Sequence, residues 1–117
     1  MALATTISRN DSGAVVLAFK GELDISRADE VELELDRIEN ENPNVLVFDL
    51  RELEFLDSTG LRIILSADSR ARRHGRRVAI VPGPEKVQRV FRITLHDKRL
   101  DFVESPDEAT ENAESVD

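Results

Sequence analysis

The most chemically suggestive run in this 117-residue chain is Asp57-Ser58-Thr59-Gly60-Leu61. An acid, two hydroxyls and a glycine lie there between an apolar stretch and an amphipathic one, where a loop enters a helix. Asp57 or Ser58 suits the N-cap, whose side-chain oxygen satisfies an unpaired amide of the first turn. A serine at such a helix start is also a good phosphoacceptor site. Exposed amides and the positive end of the helix dipole would receive a phosphate, which adds about −1.5 to −2 of charge beside Asp57. The helix would tolerate that group, and an acidic or apolar partner would be repelled by it. Capping and switching are compatible roles.

Other candidates for chemistry carry less. His74 sits among arginines near a helix end and His96 in a polar loop before Asp97. Neither has the His-x-x-x-His or Glu-x-x-His spacing that sets two ligands on one helical face, so both read as surface histidines. There is no glycine-rich phosphate loop. The absence of Cys removes disulfides, thiolate nucleophiles and Cys-based metal sites. Asp24, Asp49 and Asp57 follow or end apolar runs where an acid pair could form, but no spacing singles them out. The expectation is a protein that is not an enzyme and takes no cofactor and no metal.

Charge narrows the partners. Sixteen Lys and Arg stand against 24 Asp and Glu, a net charge of −8 that argues against direct nucleic-acid binding. Five Phe with no Trp or Tyr disfavour base stacking and sugar platforms. The charge is also divided along the chain: residues 21–57 hold thirteen acids and three bases, residues 62–99 three acids and eleven bases. Ser58 lies at that seam. The basic run Arg70-Ala71-Arg72-Arg73-His74-Gly75-Arg76-Arg77 reads as a solvated helix terminus that complements the dipole, ahead of a phosphate or anionic-lipid patch. The acidic helix over 28–40 reads as a solvated face first and a partner surface second. Apolar runs are too short to span a bilayer, and the N-terminus lacks a basic, apolar leader pattern, so the expected setting is cytoplasmic with no membrane contact.

The elements that must position these residues follow from periodicity. Leu3–Ser8 and Ala14–Phe19 flank the turn cluster Asn10-Asp11-Ser12-Gly13, which predicts a hairpin. Gly21-Glu22-Leu23-Asp24 leads to Ser26, an expected N-cap, and Ala28, Val31, Leu35 and Ile38 form a helical stripe that Asn42-Pro43-Asn44 ends. Val45–Leu50 is a nearly continuous apolar run, the mark of a strand buried on both faces. A second helix carries Leu61, Ile64, Leu65 and Ala71 inward and stops at Gly75. Val78–Val81 is a strand, Pro84 opens a third helix with Val87, Val90, Phe91 and Ile93 inward, and Leu100–Val103 is a candidate last strand. Beyond Ser105 the chain is acidic, and residues 106–117 read as a frayed helix or a disordered tail. The fold class is α/β: one domain over 1–105 with a mixed β-sheet of four to five strands, an N-terminal hairpin and helices packed against it.

Gly21-Glu22-Leu23-Asp24 after an apolar strand, then Val45–Leu50, then Leu56-Asp57-Ser58-Thr59-Gly60-Leu61, together resemble the STAS domain. More narrowly they resemble the bacterial anti-sigma factor antagonists over residues 3–105. Val87–Thr94 is similar to the family's third-helix region. The resemblance implies transcription regulation by partner switching, typical of stress responses. The unphosphorylated antagonist binds an anti-sigma factor that is also a serine kinase, and so frees a sigma factor. Phosphorylation ends the complex, and a serine phosphatase resets it. The acceptor implied is Ser58, with Gly21, Glu22, Leu23, Asp24, Asp57, Thr59, Gly60 and Leu61 meeting the partner.

A second version keeps the fold without the switch: an accessory subunit of a lipid-transport complex or a signalling scaffold, in which Ser58 only caps a helix. One departure stands out. The family usually has a Gly between Thr94 and Leu95, and here Thr94 runs straight into Leu95-His96-Asp97, which bears on the final loop and strand.

Overall fold

The structure, a computed structural model, describes residues 2–109. Strands β1 (Leu3–Arg9) and β2 (Ala14–Leu23) form the expected antiparallel hairpin, in register from Leu3 opposite Gly21 to Arg9 opposite Val15. The turn is built by Asn10, whose Oδ1 accepts from the Ser12 amide (3.1 Å), the Ser12 hydroxyl (2.8 Å) and the Ala14 amide (2.9 Å). A short polar side chain that mimics a backbone acceptor is what an Asx turn requires.

A single 3₁₀ turn, Ile25–Arg27, leads into α1 (Ala28–Asn40). The long strand β3 (Val45–Leu56), helix α2 (Ser58–Arg73), β4 (Arg77–Val81) and α3 (Glu85–Ile93) follow. The sheet order is β1-β2-β3-β4, with β2, β3 and β4 mutually parallel. Parallel neighbours need a crossover, and α1 and α2 supply the two crossovers.

Alternation along the strands makes two apolar layers of different size. Leu17, Phe19, Leu46, Phe48, Leu50, Val78 and Ile80 belong to the larger cluster with residues of all three helices. Phe19 and Phe48 stack there with ring centroids 6.0 Å apart. Ala14, Val45, Val47, Ala79 and Val81 pack on the other face with Val103 and Ala109. Both faces of β3 are therefore buried at Val45–Leu50, as the apolar run predicts.

Several local expectations change. Ser26 is not the cap of α1: Asp24 caps the 3₁₀ turn ahead of it and accepts from the Ser26 amide at 3.0 Å. β3 runs on through Leu53, Phe55 and Leu56, so the strand itself reaches the Asp57 segment. In α3 only Val87 and Phe91 are fully buried; Ile93, two residues past Phe91, is turned about 200° from it around the helix and faces solvent. Leu100–Val103 is not a strand: Phe102 makes one parallel bridge to Ile80, and the Ile80 and Val103 amides complete it. Residues 106–109 are helical, with Ala109 fully buried. Ser105 accepts from the Glu108 amide while Glu108 accepts from the Glu104 amide, a near-reciprocal cap legible in Ser105-Pro106-Asp107-Glu108. The rest of the acidic tail lies outside the described residues.

Helices α2 and α3 end in the same hydrogen-bonding motif with different residues. After α2, the Gly75 amide reaches Arg72 O and the Arg76 amide reaches Ala71 O, with Gly75 at φ 68°. After α3, the Leu95 amide reaches Arg92 O (3.1 Å) and the His96 amide reaches Phe91 O (2.9 Å). Leu95 takes φ 61°, the left-handed conformation that normally selects Gly.

Candidate functional site

The two motif segments meet because β2 and β3 are parallel neighbours. Leu23 pairs with Leu56 in register, so Gly21–Asp24 and Asp57–Leu61 emerge at the same end of the sheet. The Asp57 amide donates to Leu23 O at 3.3 Å, continuing the ladder into the loop.

Asp57 is the N-cap of α2. Its Oδ1 accepts from the Gly60 amide at 2.9 Å and its carbonyl accepts from the Leu61 amide at 3.0 Å. The other carboxylate oxygen, Oδ2, accepts from the Ile25 amide at 3.1 Å. One side chain thus closes the helix start and pins the turn that follows β2. Asp24 organises that turn from the other side, accepting from the Ser26 hydroxyl at 2.5 Å and the Ser26 amide. The Ser26 hydroxyl holds the Asp24 carboxyl below its ordinary range against the cost of desolvation, aided by the Ser26 amide and the nearby Arg27 cation.

With the cap assigned to Asp57, the Ser58 side chain has no structural task. Ser58 is the first residue of α2, it is exposed, and its hydroxyl makes no hydrogen bond to the described residues. Thr59, Asp57, Gly21, Glu22 and Asp24 are half-buried around it. Leu23, Gly60 and Leu61 are buried and support the surface from behind.

Two glycines are there because nothing larger fits. A Cβ on Gly60 would stand 2.7 Å from Leu56 Cδ1, 2.8 Å from Leu23 Cγ and 2.9 Å from Leu23 O. Its absence lets α2 start directly against the ends of β2 and β3. Gly21, at φ 111°, would put a Cβ 2.2 Å from Ala2 O.

Sequence reasoning missed two neighbours. Ile25 is 73% exposed and Phe55 46% exposed, both at this end of the sheet. In the sequence Ile25 falls outside the α1 stripe, the one signal that could have found it; the exposure of Phe55 shows only in the structure, where it pairs with Glu22. The site therefore combines a free hydroxyl, two apolar side chains and the acids Glu22, Asp24 and Asp57.

The other candidates do not join it. Asp49 is ion-paired with Arg51 at 2.8 Å. In the basic run, Arg70 pairs with Glu39 (2.7 Å), Arg72 with Asp68 (2.9 Å) and Arg77 with Asp101. Most of that run is consumed by internal partners. Among the described residues no cluster of three or more His, Asp or Glu side chains could hold a metal, and no helix is long and apolar enough to cross a membrane.

Comparison with known proteins bears on this arrangement. A profile of the STAS domain matches residues 5–109. The chain is 31% identical to the anti-sigma-F factor antagonist RsfB of Mycobacterium tuberculosis, across 80% of this chain and 84% of that protein. Its structure is similar to an anti-sigma factor antagonist from Mycobacterium paratuberculosis, at TM-score 0.81 and 25% identity over 97% of this chain and 96% of the other. It also shares the fold of the Bacillus anti-sigma factor antagonist SpoIIAA in its unphosphorylated form, at TM-score 0.82 and 16% identity over 97% and 99% of the two chains.

Proposed function

The chain belongs to the STAS domain family, and on that premise we propose that it is an anti-sigma factor antagonist switched by phosphorylation of Ser58. Its unphosphorylated form binds an anti-sigma factor with serine kinase activity and so releases a sigma factor. The observation that carries the switch is the division of labour at the start of α2: Asp57 caps the helix, and the Ser58 hydroxyl is exposed and unengaged.

A kinase would transfer the γ-phosphoryl group of ATP to Ser58 Oγ. The bond to ADP breaks, and the hydroxyl proton leaves to a base on the kinase. The new phosphate would sit at a helix N-terminus, where the dipole favours an anion. It would also raise the negative charge of a surface that already holds Asp57, Asp24 and Glu22. Glu22, Asp24, Asp57, Ser58 and Thr59, with Gly21 at the edge, form the contact surface, and Ile25 and Phe55 give it apolar area. Leu23, Gly60 and Leu61 act by holding it in shape. Dephosphorylation by a serine phosphatase restores binding.

The chain contributes surface and an acceptor atom to this cycle, and the kinase and phosphatase contribute the catalysis. The test is incubation with the cognate anti-sigma kinase and ATP, with the phosphate located by mass spectrometry and partner binding measured for Ser58→Ala and Ser58→Asp. Label at Ser58, with binding kept by Ser58→Ala and lost by Ser58→Asp, is the expected result. A usable switch needs about 1–3 kcal/mol between the two forms, or roughly 5–150-fold in affinity. Equal binding by both variants, or no label at Ser58, overturns the reading.

A further inference from the structure

The surface around Ser58 leaves another exposed apolar patch without a role. Leu95 is 78% exposed and Ile93 67% exposed, and both lie at the end of α3. The turn that follows them is fastened to the far end of α2, where Arg72 Nη2 donates to Arg99 O at 2.8 Å. Arg72 is fourteen residues along α2 from Ser58, on the order of 20 Å at the rise of an α-helix.

Leu95 holds a left-handed backbone conformation that its Cβ opposes, and its side chain gains no packing in return. A strained residue with no internal reason for its identity points outward for its explanation. Its surroundings are basic. Ile93 follows Arg89 by four residues and Lys86 by seven, spacings that place all three on the outward face of α3. Lys98 follows in the next turn. None of these three cations forms an ion pair among the described residues.

The chain carries the complement of this patch on α1. Leu33 is 54% exposed, opposite the buried stripe of Val31, Leu35 and Ile38. Asp29, Glu30 and Asp36 lie three or four residues from it on the same outer face, with Arg37 the one base at that spacing. One face is an apolar pair rimmed by cations, the other an apolar side chain rimmed mainly by acids.

We propose that the Ile93–Leu95 end of α3 docks on the outer face of α1 of a second copy of this chain. Local charge complementarity argues for that occupant: the rim of the α3 end is basic and the outer face of α1 is acidic and apolar together, a match that an anionic lipid surface offers only in its charge. The contact joins two different places on the chain, so it either grows head to tail or closes as a two-fold pair in which both α3–α1 contacts form.

Sedimentation velocity of the full chain tests this, between about 0.02 and 1 mM protein, the range in which weak contacts show. The weight-average sedimentation coefficient should rise with concentration at about 0.02 M salt and fall back at about 0.5 M, where exposed charges are screened. Leu95→Gly removes the side chain and relieves the backbone, so it should weaken association about tenfold, the loss typical of truncating an apolar anchor, in a protein that is at least as stable. The pair Arg89→Glu with Lys98→Glu, and separately the pair Asp29→Lys with Asp36→Lys, should each give monomers. The altered α3 face is acidic and the altered α1 face basic, so on mixing these two monomeric proteins native meets native and altered meets altered, and association should be restored. A chain that stays monomeric throughout at low salt overturns the proposal, as does self-association that Leu95→Gly leaves unchanged. Binding to phosphatidylglycerol vesicles that needs Leu95, without self-association, overturns it in favour of a lipid surface.

Discussion

Asp57 and Ile25, 32 residues apart in sequence, are joined by a 3.1 Å hydrogen bond from the Ile25 amide to Asp57 Oδ2. The same carboxylate caps α2 through the Gly60 amide. The turn after β2 and the start of α2 therefore share one anchor, and the position of the Ser58 hydroxyl relative to Asp24 and Ile25 depends on it. This gives the acid before the serine a physical task beyond its charge.

Replacing Asp57 by Ala removes both acceptors and leaves two amides to find water. Loss of an N-cap and one further hydrogen bond should cost about 1–3 kcal/mol of stability. Urea denaturation measures the loss. Amide exchange of Ile25 and Gly60 should accelerate together, which a simple charge effect at the helix start would not produce.

Ser58→Ala should leave stability within about 0.5 kcal/mol of the parent, because the exposed side chain makes no hydrogen bond to the described residues. The same denaturation experiment checks this. A loss above about 1 kcal/mol would show that Ser58 shares the capping role.

Acid should loosen the Asp24 turn. The Ser26 hydroxyl lowers the Asp24 pKa in the folded chain, so the unfolded chain binds the proton first as pH falls. The contribution of this contact is complete above the ordinary carboxylate range of about 3.9 and is lost as pH drops through the lowered folded value. An NMR titration of the Asp24 carboxyl carbon should show its midpoint move upward in Ser26→Ala. An unchanged midpoint would contradict the assignment of the shift to that hydroxyl.

Leu95→Gly should stabilise the fold. The residue sits in the left-handed position that Gly75 occupies after α2, and relief of Cβ strain of about 1–2 kcal/mol is partly offset by the greater freedom of glycine in the unfolded chain. A net gain of about 0.5–1 kcal/mol corresponds to a rise of roughly 2–5 °C in Tm, read by thermal unfolding. No change or a fall in Tm would mean that the Leu95 side chain contributes to the fold in a way its exposure does not suggest.

Much of the architecture is legible in the sequence because it rests on short-range periodicity. Val31, Leu35 and Ile38 repeat at the helical period and are buried together. The run Val45–Leu50 lacks alternation and is buried on both faces. Asn10–Gly13 and Gly75 carry turn and cap chemistry in their own side chains or lack of one. The pair of motifs Gly21–Asp24 and Asp57–Leu61 marks the candidate site for the same reason: an acid and a glycine at each place announce a cap and a close approach.

Other features required the folded chain. Local sequence allows either Asp57 or Ser58 to cap α2, and only the position of the Ile25 amide, brought near by the pairing of β2 with β3, gives both Asp57 oxygens partners and leaves Ser58 free. Ile93 is three residues past Val90 and yet faces water, because the side of α3 that meets the core is the one carrying Val87 and Phe91. The basic run Arg70–Arg77 looks like a patch in sequence; Asp68 pairs with Arg72 within α2, but Glu39 and Asp101 reach Arg70 and Arg77 only in space. Periodicity and capping act over a few residues, so the sequence alone determined the elements and pointed to the Ser58 segment. Which side chains were left over for a partner was decided by contacts between residues some thirty positions apart, which only the tertiary structure brings together.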